Sequence, residues 1–269
     1  MPEDLVLRFV HISDTHLSHD PNYTYDPKTY PLALPGARAL VEQVNALPFT
    51  PDFVLHTGDV AYDPDSAAYA AARAVLGQIK YPVHYLVGNH DDGDALQRTL
   101  VGHEPRTPFC YEFAARGAQI ICLDTQSAVA QKGITPPAGW IDDAQLVWLE
   151  SLLLARDERP LVVALHHNPL KVGIPWFDEY MGLQNGDALH SVLLKARPRL
   201  RGVFFGHIHQ NIDIYRDGIL YSSALSSWYQ LHCWPGQTST VVDSGAEPGF
   251  SVVTVTREQT LIRRHRFSL

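Results

Sequence analysis

Six short apolar runs, rich in β-branched and aromatic residues and each ended by glycine or a polar residue, punctuate the chain at residues 5–12, 53–56, 83–87, 120–123, 161–165 and 202–205. Apolar runs of this length predict buried strands. Between them, residues 35–47, 66–76, 142–156 and 187–196 predict helices. The second is alanine-rich and follows a cap at Asp65 or Ser66, and the third repeats Leu146, Leu149 and Leu153. Alternation of strand and helix through the first two thirds or so of the chain is the pattern of an α/β protein with crossover connections. The tail breaks it. After residue 219 come three further strand-like runs, 219–222, 250–256 and 260–267, separated by a turn-rich stretch holding Pro235, Gly236, Gly245 and Gly249. We expect these as antiparallel strands completing a second sheet, within one domain spanning residues 1–269.

Composition narrows the partners. With 45% hydrophobic residues in 269, the chain can bury a large core. A formal charge of −8, relieved only by the short run Arg263, Arg264 and Arg266, argues against duplex nucleic acid or an anionic membrane as partner. The first ten residues mix Glu3, Asp4 and Arg8 with apolar residues, unlike a signal peptide or a spanning helix, so the expected compartment is the cytoplasm. A homo-oligomer is compatible with all of this. Cys110, Cys122 and Cys233 are far apart and odd in number, which speaks against a disulfide framework or a thiolate zinc site. Fourteen histidines point elsewhere, because neutral imidazole is the commonest metal ligand.

Five apolar runs end on residues able to bind metal. The terminations are Asp14-Thr-His16, Gly58-Asp59, Gly88-Asn-His-Asp91, His166-His167 and Gly206-His-Ile-His209. Each alone reads as an ordinary polar turn, helix cap or solitary imidazole. Five in order, opened by Asp-x-His and closed by Gly-His-x-His, are hard to obtain by chance. In an open α/β sheet the carboxyl ends of the strands line one crevice, so these distant residues are expected to converge. Glycine before Asp59, Asn89 and His207 lets the chain turn sharply beside a ligand.

Together these motifs resemble the signature of the calcineurin-like metallophosphoesterases, over residues 14–209. His166-His-Asn-Pro169, Gln184-Asn-Gly186 and Gly206-His-Ile-His-Gln210 are most similar to the bacterial class III cyclic-nucleotide phosphodiesterases, although Asn168 stands where a proline is frequent. The resemblance implies a four-layer α/β/β/α sandwich of two mixed sheets flanked by helices. It also implies two divalent ions, Mn, Fe or Zn: Asp14, His16 and His209 on one, Asn89, His166 and His207 on the other, and Asp59 between them. His166 is preferred to His167 because it directly follows its strand. His90 is expected to act on the substrate as a general acid, with Asn89 beside it as a second substrate contact, and Asp91 to orient a neighbouring imidazole. His11, His56 and His84 lie inside apolar runs and read as core residues. Tyr23, Tyr25 and Tyr30, and Trp228, Tyr229, His232 and Trp234, are candidates for an aromatic rim.

Two metals a few ångströms apart clamp phosphoryl oxygens and make a bridging hydroxide available near neutral pH. The expected reaction is therefore hydrolysis of a small phosphodiester, with cyclic AMP as leading substrate. Glycerophosphodiesters, or a broad range of diesters and monoesters, are the alternative. A Ser/Thr protein phosphatase is disfavoured, because Gly58-Asp-Val-Ala-Tyr-Asp63 replaces the Gly-Asp-x-Val-Asp-Arg-Gly expected of that group. A non-catalytic scaffold is disfavoured because no ligand of the set is missing.

Overall fold

The computed structural model describes residues 5–63 and 65–269. Residues 1–4, part of the segment read above for a leader, lie outside them. Strand β1 (Leu5–Ile12), helix α1 (Ala33–Asn45), strand β2 (Phe53–His56), helix α2 (Ser66–Leu76) and strand β3 (Val83–Tyr85) form two parallel crossovers. The Asp65 side chain caps α2, accepting from Ala68 N at 2.6 Å. After α3 (Gly93–Leu96) and a π-helical turn, β4 (Tyr111–Ala115) and β5 (Ala118–Cys122) make a hairpin, and α4 (Asp143–Leu154) leads to β6 (Leu161–Ala164). Helices α5 (Pro175–Tyr180) and α6 (Gly186–Leu193) precede β7 (Leu200–Phe205), β8 (Asp213–Arg216) and β9 (Ile219–Ser223). A small pair, β10 (Gln230–Leu231) and β11 (Val242–Asp243), is followed by β12 (Gly249–Thr256) and β13 (Thr260–Arg266).

The strands form two mixed sheets, in the orders β13-β12-β1-β2-β3 and β4-β5-β6-β7-β9-β8. Alternation along β1 shows how they stack. Leu7 and Phe9 enter a core with Phe53, Ile120, Val162 and Phe204, between the sheets. Val10 and Ile12 point the other way, into the core beneath α1 and α2. A third core joins Val163 and Phe205 to Leu149 of α4 and Leu189 of α6. Three apolar layers separate four structural ones, the α/β/β/α sandwich.

The tail does not complete a single sheet. β9 joins the second sheet, parallel to β7, whereas β12 and β13 extend the first. The reason lies in β1. Its crossovers all lead to one side and leave its other edge open, and β12 pairs with that edge antiparallel from Leu5–Thr256 to His11–Ser251. Two strands without an apolar run, β4 and β8, sit at the sheet edges, half-buried or exposed. Each is half of a hairpin turning on a residue of positive φ, Arg116 (48°) before Gly117, and Asp217 (51°) before Gly218 (83°). Cys110, Cys122 and Cys233 are all free. Among the described residues, no helix is long and apolar enough to cross a membrane.

Candidate metal centre

The loops that follow β1 and β2 pair along their backbones. Asp14 N donates to Gly58 O (3.0 Å), His16 N to Asp59 O (3.0 Å) and Leu17 N to Val60 O (2.9 Å). Across the sandwich, His207 N donates to Asp14 Oδ2 at 3.0 Å, tying the two sheets' loops together. This convergence strains the chain. Asp14, His16, Asp59, His207 and His209 all have positive φ, between 43° and 71°, a region that non-glycine residues seldom occupy. Such strain gathers where surrounding structure enforces a functional geometry. Glycines provide clearance: a Cβ on Gly88 would lie 2.2 Å from Asp59 Oδ1, and one on Gly206 would lie 2.0 Å from Ser13 Oγ.

Three groups of donor atoms result, one of them, His16, Asp59 and His90, overlapping the other two at the mouth of the site. Asp14, His16 and His209 form the first of the other two, and Asp59, His166 and His207 the second. Asp59 Oδ2 lies 3.7 Å from His16 Nε2 and 3.4 Å from His166 Nε2, between the groups. Asn89 Oδ1 reaches His166 Nε2 at 3.1 Å. His167 stays out, its two nitrogens engaged by Thr125 Oγ1 (2.6 Å) and Pro137 O (2.9 Å). All seven residues expected as ligands therefore face one buried point.

The outer partners of the histidines fit a cation. His166 Nδ1 faces Thr57 O at 2.7 Å, His207 Nε2 faces Met181 O at 3.0 Å, and His209 Nδ1 faces Tyr229 O at 3.0 Å. A carbonyl only accepts, so each of those nitrogens carries a hydrogen and the other ring nitrogen is the one left to face inward, where a metal would take its lone pair. Charge points the same way. Burial opposes ionising Asp59, but the His166 and His90 charges outweigh it and hold its carboxyl well below the usual range. Burial likewise disfavours a charged His166, yet Asp59 and Asp14 prevail and raise it to about 9. His207 is pushed down to about 3 by burial and by His166. Two buried carboxylates thus demand positive charge, and oxygen and nitrogen donors without thiolate suit Mn, Fe or Zn.

Asn89 and His90 are half-buried, whereas Asp14, His16, Asp59, His166, His207 and His209 are buried, so those two stand at the mouth of the site. Asp91 departs from expectation. It orients no imidazole; its oxygens accept from Val60 N (3.1 Å), Ala61 N (3.1 Å), Gly88 N (2.9 Å) and Tyr69 Oη (3.0 Å), which clamps the Asp59 loop to the Asn89 loop. Three convergent backbone donors outcompete an imidazole for a buried carboxylate. His11 and His56 bond Thr57 Oγ1 and Thr15 Oγ1 behind the site, each at 3.0 Å.

The rim is rearranged too. Trp228 is buried, its ring 5.4 Å from His16 and its Nε1 donating to Pro31 O, so it packs beneath Tyr23, Tyr30 and Tyr62 and does not itself line the rim. His232 and Trp234 stack on each other on the β10–β11 side. Tyr23, Tyr25, Tyr30 and Tyr229 do gather near the mouth, around a residue that the motifs did not single out, Tyr62. Tyr62 lies three positions after Asp59 and stacks on His90, with centroids 4.8 Å apart and 28° between planes. Its place in that loop was the only signal available.

A family model described as calcineurin-like phosphoesterase matches residues 7–211. The 3′,5′-cyclic adenosine monophosphate phosphodiesterase CpdA of Vibrio vulnificus is 30% identical over 250 residues, covering 93% of this chain and 85% of that protein. The glycerophosphodiester phosphodiesterase GpdQ of Enterobacter lignolyticus is 30% identical over 205 residues, 74% and 69% of the two. A dimetal phosphatase from Danio rerio shares the fold, with a TM-score of 0.68 at 16% identity over 96% of this chain and 99% of that one. With the family model spanning all five motifs and the donor groups meeting at Asp59, the chain belongs to the calcineurin-like phosphoesterases and is a dinuclear, metal-dependent phosphoesterase.

Proposed function

We propose that this protein hydrolyses small phosphodiesters, with 3′,5′-cyclic nucleotides, cyclic AMP first, as its substrates. The observation that carries the reading is the pair of inward-facing donor groups sharing Asp59, with Asn89 and His90 half-open beside them. Asp14, His16 and His209 would hold one divalent ion, Asn89, His166 and His207 the other, and Asp59 both. Ions bound there supply a nucleophile from water and neutralise the phosphoryl oxygens. Asn89 and His90 contact the phosphoryl group. His90 protonates the leaving ribose oxygen, which as a bare alkoxide departs poorly. Tyr25, 64% exposed and with its ring 6.2 Å from that of Tyr62, offers an apolar face near the phosphate site on which a nucleobase can stack. Similarity to CpdA supports the same substrate. We place the enzyme in the cytoplasm, as one domain acting on a small molecule.

Similarity to GpdQ supports a second reading, glycerophosphodiesters, which need no aromatic wall. One comparison separates the two. With Mn-loaded protein, kcat/KM is measured for cyclic AMP, 2′,3′-cyclic AMP, glycerophosphoethanolamine and a phosphomonoester. Cyclic AMP should lead; a higher value for glycerophosphoethanolamine overturns the first reading in favour of the second.

A further inference from the structure

We infer that Tyr62 is the positioning residue for His90, holding its imidazole at the leaving-group side of the site; this rests on the role proposed above for His90. Among the described residues, neither ring nitrogen of His90 has a hydrogen-bond partner, and only its backbone N is fixed, donating to Asp59 Oδ1 at 2.9 Å. His166, His207 and His209 are each oriented by a backbone carbonyl, whereas the His90 ring, although it comes within 4.8 Å of donor atoms of His16 and Asp59, makes no such bond and is held by packing. One face lies on Tyr62, and His16 meets the ring edge to face, with centroids 5.0 Å apart and 83° between planes. A half-buried imidazole with no tether rotates freely about its side-chain bonds unless its neighbours exclude the other rotamers.

Tyr62 is itself immobilised. Its backbone N donates to Leu17 O at 3.0 Å, within the paired loops, and its ring packs against Tyr23 (4.8 Å) and edge-on to Trp228 (5.8 Å). The stacked ring thus transmits the rigid geometry of the Asp14 and Asp59 loops to a side chain that needs its nitrogens free for the substrate. Small displacements of a catalytic group cost on the order of 10²-fold in rate, so a shape-filling aromatic neighbour matters even without touching the substrate.

Leaving groups separate positioning from general damage. Departure of the ribose oxygen of cyclic AMP needs a proton, whereas p-nitrophenolate leaves as a stable anion, so bis(p-nitrophenyl) phosphate does not need the proton that His90 donates. In Mn-loaded protein, Tyr62→Met should lower kcat for cyclic AMP by roughly 10- to 100-fold, with KM within about threefold and two metals retained. Its turnover of bis(p-nitrophenyl) phosphate should stay within about twofold. Tyr62→Phe, which keeps the stacked ring, should match the parent on both substrates. His90→Ala is the reference: if it slows both substrates equally, the proposed role of His90 fails and Tyr62 is not the cause. If His90→Ala discriminates between the substrates and Tyr62→Met does not, or if Tyr62→Phe behaves like His90→Ala, positioning by Tyr62 is overturned. Should Tyr62→Met fail to fold, Tyr62→Phe and the His90 ring-current shifts in Zn-loaded protein decide. An upfield His90 resonance that persists in Tyr62→Phe supports the stack, and an unshifted one refutes it.

Discussion

His166 Nε2 lies 3.2 Å from His207 Nδ1, although the opposite nitrogen of each ring faces a backbone carbonyl. With hydrogens on the carbonyl side, the two inward nitrogens need positive charge between them: without metal His166, raised to about 9, supplies a proton there, and a divalent ion would take that proton's place. Divalent metal should therefore stabilise the fold as well as activate it. Chelation should lower the melting temperature, and Mn or Zn at a hundredfold excess over Kd should restore about 2.7 kcal/mol per site. Calorimetry of chelated and reloaded protein checks this; a melting temperature indifferent to metal would contradict the ligand map.

His166 and His167 are adjacent and equally buried, yet they differ in what they face. His166→Ala should lose at least one metal and nearly all turnover. His167→Ala removes hydrogen bonds to Thr125 and Pro137 and should cost stability, by about 1–3 kcal/mol, while keeping two metals. Metal content by elemental analysis of both variants decides, and the reverse pattern would exchange their roles.

What could be read from sequence follows from where the information lies. Buried parallel strands announce themselves as apolar runs, so β1, β2, β3, β6 and β7 and the loops at their ends were legible, and with them the seven residues that the structure brings together. The edge strands β4 and β8 were not, because a strand half-exposed to water carries no apolar run; only the Arg116-Gly117 and Asp217-Gly218 turns mark them. The division of the tail between two sheets depends on which edge of β1 remains open, a property of topology rather than of residues 219–269. Asp91 and Tyr62 were misjudged or missed for a related reason. Each acts across loops that are distant in sequence, and nothing local shows which backbone donors or rings it will meet.

Asp91 makes a sharp case. Its carboxylate accepts from three backbone N–H groups and from Tyr69, and burial together with the Asp59 charge pushes its carboxyl up to about 6 against those donors. Asp91→Asn brings an NH₂ donor against other donors and leaves at least one buried N–H unpaired. We expect a loss of about 2–3 kcal/mol in chemical denaturation, with reduced metal affinity as the Asp59 and Asn89 loops loosen. Stability and metal binding both unchanged would show that the clamp is dispensable.

His84 offers a test of pH dependence away from the metal site. Its ring stacks on Phe113, with centroids 3.6 Å apart, and meets Phe53 edge-on, and burial lowers its pKa from 6.5 to about 4. Between those values the unfolded chain binds a proton at this position that the folded chain does not. Stability from His84 is thus fully present above about pH 6.5 and is lost as pH falls towards 4. The ring is only half-buried, so solvent screening limits the loss to about 1–2 kcal/mol. His11 and His56, lowered by burial to about 3 and about 4, steepen the same acid limb. Replacing the titrating ring by an apolar one, His84→Phe, should flatten the stability profile between pH 4 and 6.5 by one proton's worth of slope, leaving the plateau above pH 7 within about 1 kcal/mol. Urea denaturation across that range measures the slope directly; a variant as acid-sensitive as the parent would place the titrating group elsewhere.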